Sequence, residues 1–217
     1  MQPRGDNKLY VYFVGYMFDC TNMRFHSPLT GILGSPIRVA LLRVFTRFPT
    51  RGMSGRELAG VIGASPSQTN AALSSLMAEG LVHPEVVGRS HIWRFSTEHV
   101  LADPLTKIFE TEAELPDLLM QALRRALERL PAEKAALFGS VARGDEGPDS
   151  DIDLFVQVRD DVAKGQVVDA LSSASAGFAL RFGNVLSSFV LTRSQVARRA
   201  NPSLARNIER EGVSLQA

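Results

Sequence analysis

The segment Asp151–Val158, DIDLFVQV, carries apolar side chains at every second position: Ile152, Leu154, Val156 and Val158. A period of two is the pattern of a β-strand with one face against a core, since a helix would scatter the same residues around its axis. Strand geometry then sends Asp151 and Asp153 together to the opposite face, about 7 Å apart. Two carboxylates at that spacing can share an oxygen-preferring cation such as Mg²⁺, which also binds nucleotide phosphates. Such an ion offsets triphosphate charge and stabilises charge building on a leaving group.

Just upstream, Ala135-Ala136-Leu137-Phe138 reads as a short apolar strand, Gly139-Ser140 ends it, and Val141-Ala142-Arg143 starts a short helix. Glycine permits close backbone approach, and the free N–H groups of a helix start attract phosphate oxygen. Ser140 adds a hydroxyl donor. Arg143 is either a phosphate contact or a surface residue. A lone Gly-Ser is common in turns, so its weight comes from the Asp-x-Asp strand downstream.

The assembled run GSVARGDEGPDSDIDL resembles the signature of the polymerase-β-type nucleotidyltransferase superfamily: Gly-Ser, a short Ala-Arg-Gly helix, then Ser-Asp-x-Asp-Leu. The similarity spans roughly residues 115–215 and is strongest to minimal nucleotidyltransferase domains. It implies that Gly139 and Ser140 grip the phosphates of an NTP, with Arg143 and Ser150 beside them. It also implies that Asp151 and Asp153 bind Mg²⁺ and carry catalysis. The family places a third acid on a later strand. Here Asn184–Thr192 reads as that strand, and the acid is expected near Ser187, but no Asp or Glu stands between Asp169 and Glu209. Losing a general base typically slows a reaction by roughly 10²–10⁴ without forbidding it. Three explanations compete: a base from the substrate or a partner chain, slow two-carboxylate transfer, or a domain that binds nucleotide without turning it over.

The first half of the chain has a different grammar. Pro36 with Ile37, Ala40, Leu41, Val44 and Phe45 predicts a helix with one buried stripe, ending near Pro49. Ser54-Gly-Arg-Glu57 opens a second helix that Gly63 stops, and Ser65-Pro66-Ser67-Gln68 opens a third running to about Glu79. Two capped helices across a short turn have the spacing of a helix-turn-helix. Leu81–Val87, the turn Gly88-Arg89 and Ser90–Phe95 read as a β-hairpin. The stretch ELAGVIGASPSQTNAALSSLMAEGLV with this hairpin resembles bacterial winged-helix regulators over residues 33–98. That resemblance implies binding to double-stranded DNA, with Ser67, Gln68, Asn70 and Ser74 facing the major groove. Ala72, Leu73, Leu76 and Met77 then pack inward. Arg89 and Arg94 on the wing, with Arg51 and Arg56, are the expected phosphate contacts. The competing reading is a dimerisation or packing module, because the third helix bears no Lys or Arg.

The fold class expected is therefore α/β (α+β) in two domains. An extension covers 1–30, which need not be ordered. A winged helix-turn-helix covers 31–100, connector helices 101–130, and a nucleotidyltransferase-like mixed sheet with flanking helices 131–217. The connector's apolar stripe, Leu118, Leu119, Ala122, Leu123, Ala126, Leu127 and Leu130, serves either a homodimer seam or packing on the next domain. The net charge of +1 argues against wholesale nucleic-acid or membrane binding. Residues 31–100 nevertheless hold seven Arg, no Lys and four Glu, a local charge of +3. The single Cys20 excludes an internal disulfide, and the run Leu9–Phe18 is too short and interrupted for a membrane span, so a cytoplasmic protein is expected. From the resemblance alone, a partner toxin or another protein acceptor joins the expected partners.

Overall fold

Residues 12–13, 16–17, 25–147, 150–198 and 200–215 are described by the computed structural model of the chain. Two short strands, β1 (Tyr12–Phe13) and β2 (Tyr16–Met17), pair antiparallel. The rest of residues 1–24 lies outside the described residues. The last part of the expected extension is ordered, since Phe25 is fully buried and Pro28 opens α1 (Pro28–Ile32). The chain divides into two compact units, Ser27–Leu115 and Pro116–Ala217, the latter including the chain up to His26.

In the first unit α1 is followed by α2 (Pro36–Arg47), β3 (Met53–Ser54), α3 (Gly55–Ile62), α4 (Pro66–Ala78), β4 (Val82–Val87) and β5 (Ser90–Phe95). At Ser54 half of the expected capping box forms, Ser54 Oγ accepting from the Glu57 N–H while the Glu57 carboxylate pairs with Arg51, and Ser65 and Gln68 complete a reciprocal box. The strands form a sheet in the order β3-β5-β4. Helix, strand, two helices and a hairpin make up the winged-helix arrangement. Leu41, Phe45, Leu58, Leu73 and Phe95 fill its core.

Two details of the expected packing are corrected. On α2 the buried positions are Val39, Leu41, Leu42, Phe45 and Thr46, while Ile37, Ala40 and Val44 are half-buried. The helix packs against α3, α4 and β5 together, so its buried arc is wider than one stripe. Met77 is 43% exposed. Leu73 and Leu76 already face the core, and at 100° per residue Met77 turns outward.

Next comes α5 (Ala102–Leu127), a single helix where two connector segments were expected; Pro116 removes one N–H from it without ending it. Three turns into it the buried Glu112 accepts from Arg43 Nε at 2.7 Å, Arg43 Nη2 at 3.0 Å and the Leu29 N–H at 3.0 Å, fastening α1 and α2 to α5.

The second unit contains β6 (Ala132–Phe138), α6 (Gly139–Arg143), β7 (Ile152–Val158), α7 (Asp161–Phe182), β8 (Leu186–Thr192), α8 (Arg193–Ala197), α9 (Pro202–Glu211) and β9 (Val213–Ser214). The sheet order is β8-β7-β6-β9; β7 and β8 run parallel, the other pairs antiparallel. A parallel neighbour requires a crossover, which α7 supplies. Asp160 caps its start, accepting from the Ala163 N–H, and Gly183 closes its end. Ile152, Leu154, Val156 and Val158 face a core shared with Leu119 and Leu123 of α5 and Val167, Leu171 and Phe178 of α7. Phe138, Phe155 and Leu204 of α9 form a smaller cluster. The alternation read from the sequence thus marks the larger of two covered faces, and Gln157 is buried by donating to Glu133 Oε2 at 3.1 Å.

Candidate active site

Strand direction decides where the chemistry collects. The end of β6, the starts of β7 and β8 and the residue run leading into β9 all meet at one edge of the sheet. Phe138 is paired with Asp153, and Asp153 with Ser187. Gly139-Ser140, Asp151, Asp153 and Ser187 are therefore neighbours, although 48 positions separate 139 from 187.

Gly139 adopts φ +79°, and a Cβ there would run into the Asp153 carboxylate. Only glycine meets both conditions, so the Gly139-Ser140 turn and the second aspartate are built against one another. Asp153 is half-buried; burial first, and then the Asp151 charge, push its pKa up to about 6. Ser187 Oγ donates to Asp151 Oδ2 at 3.2 Å. The position expected to hold the third acid thus holds a hydroxyl that points at a carboxylate.

Arg143, one turn along α6, donates to Asp145 Oδ2 at 3.0 Å and to Glu211 Oε1 at 2.8 Å. These partners raise the pKa of its guanidinium. Burial works against ionisation of Glu211, yet hydrogen bonds from Arg143 and Arg210 hold it below the usual range. A phosphate would compete with two carboxylates for Arg143. Ser150 has its hydroxyl turned inward, accepting from the Gly147 N–H at 3.0 Å.

The loop after α6 is fastened by residues the sequence reading did not single out. The Glu146 side chain is 1% exposed and accepts from the His26 N–H at 2.5 Å and from His26 Nδ1 at 3.0 Å. Asn184 Nδ2 donates to the Ser150 carbonyl at 2.9 Å. Neither contact has a local sequence signal, because the partners are 120 and 34 residues apart. Glu211 was missed for the same reason.

The donor set suits a hard cation in one respect: two carboxylates lie close enough for one to raise the other's pKa, a repulsion that a divalent ion removes. Asp151 and Asp153 would hold it. Among the described residues no group of three or more His, Cys, Asp or Glu is arranged around a metal position. Phosphate oxygens and water would complete the shell.

On the winged-helix unit, Ser67, Gln68, Asn70 and Ser74 are exposed on α4, but Gln68 Oε1 is engaged by the Ser65 cap. Arg89 is exposed at the hairpin turn. Arg94 donates to Glu85 Oε2 at 2.5 Å and to the Thr50 carbonyl at 3.2 Å, and Arg51 pairs with Glu57.

Comparison with known proteins bears on the second unit directly. The family model described as nucleotidyltransferase domain matches residues 119–213. Over these residues the second unit is similar to nucleotidyltransferase domains. That span contains the Gly139-Ser140 loop, the Asp151–Asp153 pair and the strand that carries Ser187. Among solved structures, the chain is similar to MepR, a transcription regulator of the Staphylococcus aureus multidrug efflux pump MepA, at 13% identity and a TM-score of 0.37, covering 45% of this chain and 72% of that one. No curated protein matches. Among the described residues no helix is long and apolar enough to cross a membrane.

Proposed function

We propose that the second unit binds an NTP with Mg²⁺ and moves NMP, slowly, to a hydroxyl acceptor, the acceptor oxygen bonding the α-phosphorus as the α–β anhydride bond breaks and pyrophosphate leaves. The observation that carries this reading is the close packing of the Gly139 backbone on Asp153, with Asp151 beside it. Main-chain N–H groups at the start of α6 and the Ser140 hydroxyl receive phosphate oxygens. Asp151 and Asp153 hold the cation, which when bound neutralises the triphosphate. Arg143 remains in its ion pairs and shapes the loop. Ser187 supplies no carboxylate, so proton removal from the acceptor falls to Asp151 or to the acceptor's own surroundings, and binding outruns turnover. Incubating the protein with labelled NTPs, Mg²⁺ and cell lysate tests this, with Asp151→Asn/Asp153→Asn as the comparison. Labelling should fall to background in the double variant, and equal labelling would refute the assignment.

A second reading concerns the first unit, which we propose binds double-stranded DNA in a cytoplasmic regulator. Its support is α4, capped at its start and exposing Ser67, Asn70 and Ser74 on one side. Asn70→Ala and Ser74→Ala should weaken sequence-selective binding in a gel-shift assay at low salt, while Arg89→Ala should weaken binding to all sequences and flatten its salt dependence. Binding without selectivity would count against α4 as the reading helix.

A further inference from the structure

Asn184 occupies the turn between α7 and β8 and is fully buried. Its Nδ2 donates to the Ser150 carbonyl, while its Oδ1 is buried with no hydrogen-bond partner among the described residues. An unmet buried oxygen costs about 1–3 kcal/mol, which a leucine of similar size would avoid. That leucine would also leave the Ser150 carbonyl without this donor, at a similar cost, so the amide's net effect on stability is small. Its donor, however, has a definite target.

The sheet ladder begins at Ile152, one residue after Asp151. The sheet by itself does not fix Asp151. The segment 184–187 does so at three points. Asn184 holds the carbonyl of the residue before it, the Val185 carbonyl accepts from the Ile152 N–H at 2.9 Å just after it, and Ser187 Oγ reaches its carboxylate. Ser150 is also bonded to Gly147, its N–H donating to the Gly147 carbonyl at 3.3 Å and its Oγ accepting from the Gly147 N–H at 3.0 Å, and of the three bonds from 184–187 the Asn184 bond is the one that ties Ser150 to the start of β8.

We infer that Asn184 is the positioning residue of the two cation-binding carboxylates. Its amide, donated to the Ser150 carbonyl, sets the direction in which Asp151 leaves the loop and so its separation from Asp153. This rests on the reading of Asp151 and Asp153 as a cation site. Outer partners that orient metal-binding carboxylates typically contribute 10–100-fold in metal affinity.

The test uses the full chain and Mn²⁺ alone, with free ion counted by electron paramagnetic resonance. Asn184→Leu keeps the volume without the donor, and Asn184→Ala removes both. Either, folded by near-ultraviolet circular dichroism, should bind Mn²⁺ 10–100-fold more weakly and reach wild-type occupancy when Mn²⁺ is raised by that factor. Wild-type affinity in a folded Asn184 variant overturns the inference. So does a loss that excess Mn²⁺ fails to restore, or failure of both variants to fold, since either makes Asn184 a structural residue. If Asp151→Asn/Asp153→Asn binds Mn²⁺ as tightly as wild type, the cation site itself is refuted instead.

Discussion

Replacing Asp153 by its neutral isostere should stabilise the metal-free protein, and only above a definite pH. The Asp153 carboxyl ionises near pH 6 in the folded protein, against an ordinary value of 3.8. Ionising it in place therefore costs up to about 3 kcal/mol, and partial exposure screens that to about 1–2 kcal/mol. The sign follows from proton counting. Between about pH 4 and 6 the folded chain holds a proton at Asp153 that the unfolded chain has lost, so wild-type stability falls as pH rises through this window. Asp153→Asn has no such proton to lose. Urea unfolding in chelator should then find the variant about 1–2 kcal/mol more stable than wild type at pH 8, and the two nearly equal at pH 4. Mn²⁺ should reverse the order at pH 8, because only wild type gains binding energy from it. A variant no more stable than wild type at pH 8, or an advantage that persists unchanged at pH 4, would refute the argument.

Ser187→Asp restores a carboxylate at the position paired with Asp153. It should raise NMP transfer by one to several decades, of the order that a general base contributes, and initial rates of pyrophosphate release will register it. Gly139→Ala forces a Cβ towards the Asp153 carboxylate at positive φ. NTP and Mn²⁺ affinities should drop together in calorimetry, while gel shifts with double-stranded DNA stay as in wild type. In the first unit, Glu112→Ala strands Arg43 and the Leu29 N–H and should lower stability by about 2–4 kcal/mol in urea titration, with NTP and Mn²⁺ titrations as in wild type.

The parts of this molecule legible in its sequence are those written by local rules. The alternation of 151–158, the caps at Ser54 and Ser65, and the glycine breaks at 63 and 139 each depend on residues within a few positions. These sufficed for α2 to α4, the hairpin β4–β5, the strands β6 to β8 and the Asp-x-Asp pair, but not for the crossover helix α7 or for the continuity of α5. Wrong details arose where packing came from more than one side. The outward turn of Met77 depends on what already fills the space beside Leu73 and Leu76, and the broad arc of α2 depends on three neighbours. The supporting bonds were illegible for a different reason. His26 to Glu146, Arg143 to Glu211 and Asn184 to Ser150 join residues 120, 68 and 34 positions apart. Read singly, such residues look like ordinary turn or surface positions.

The parallel pairing of β7 with β8 has a consequence for synthesis. During translation the Gly139 loop and both aspartates emerge before α7, whereas Ser187 and Asn184 follow it. Local contacts form early and distant pairings wait for the intervening chain, so the cation corner stays open until the crossover helix has packed. A ligand that recognised only the closed corner would add RT ln(1 + [L]/Kd) to the folded state, so on the proposed function nucleotide and metal would be late folding partners of this unit.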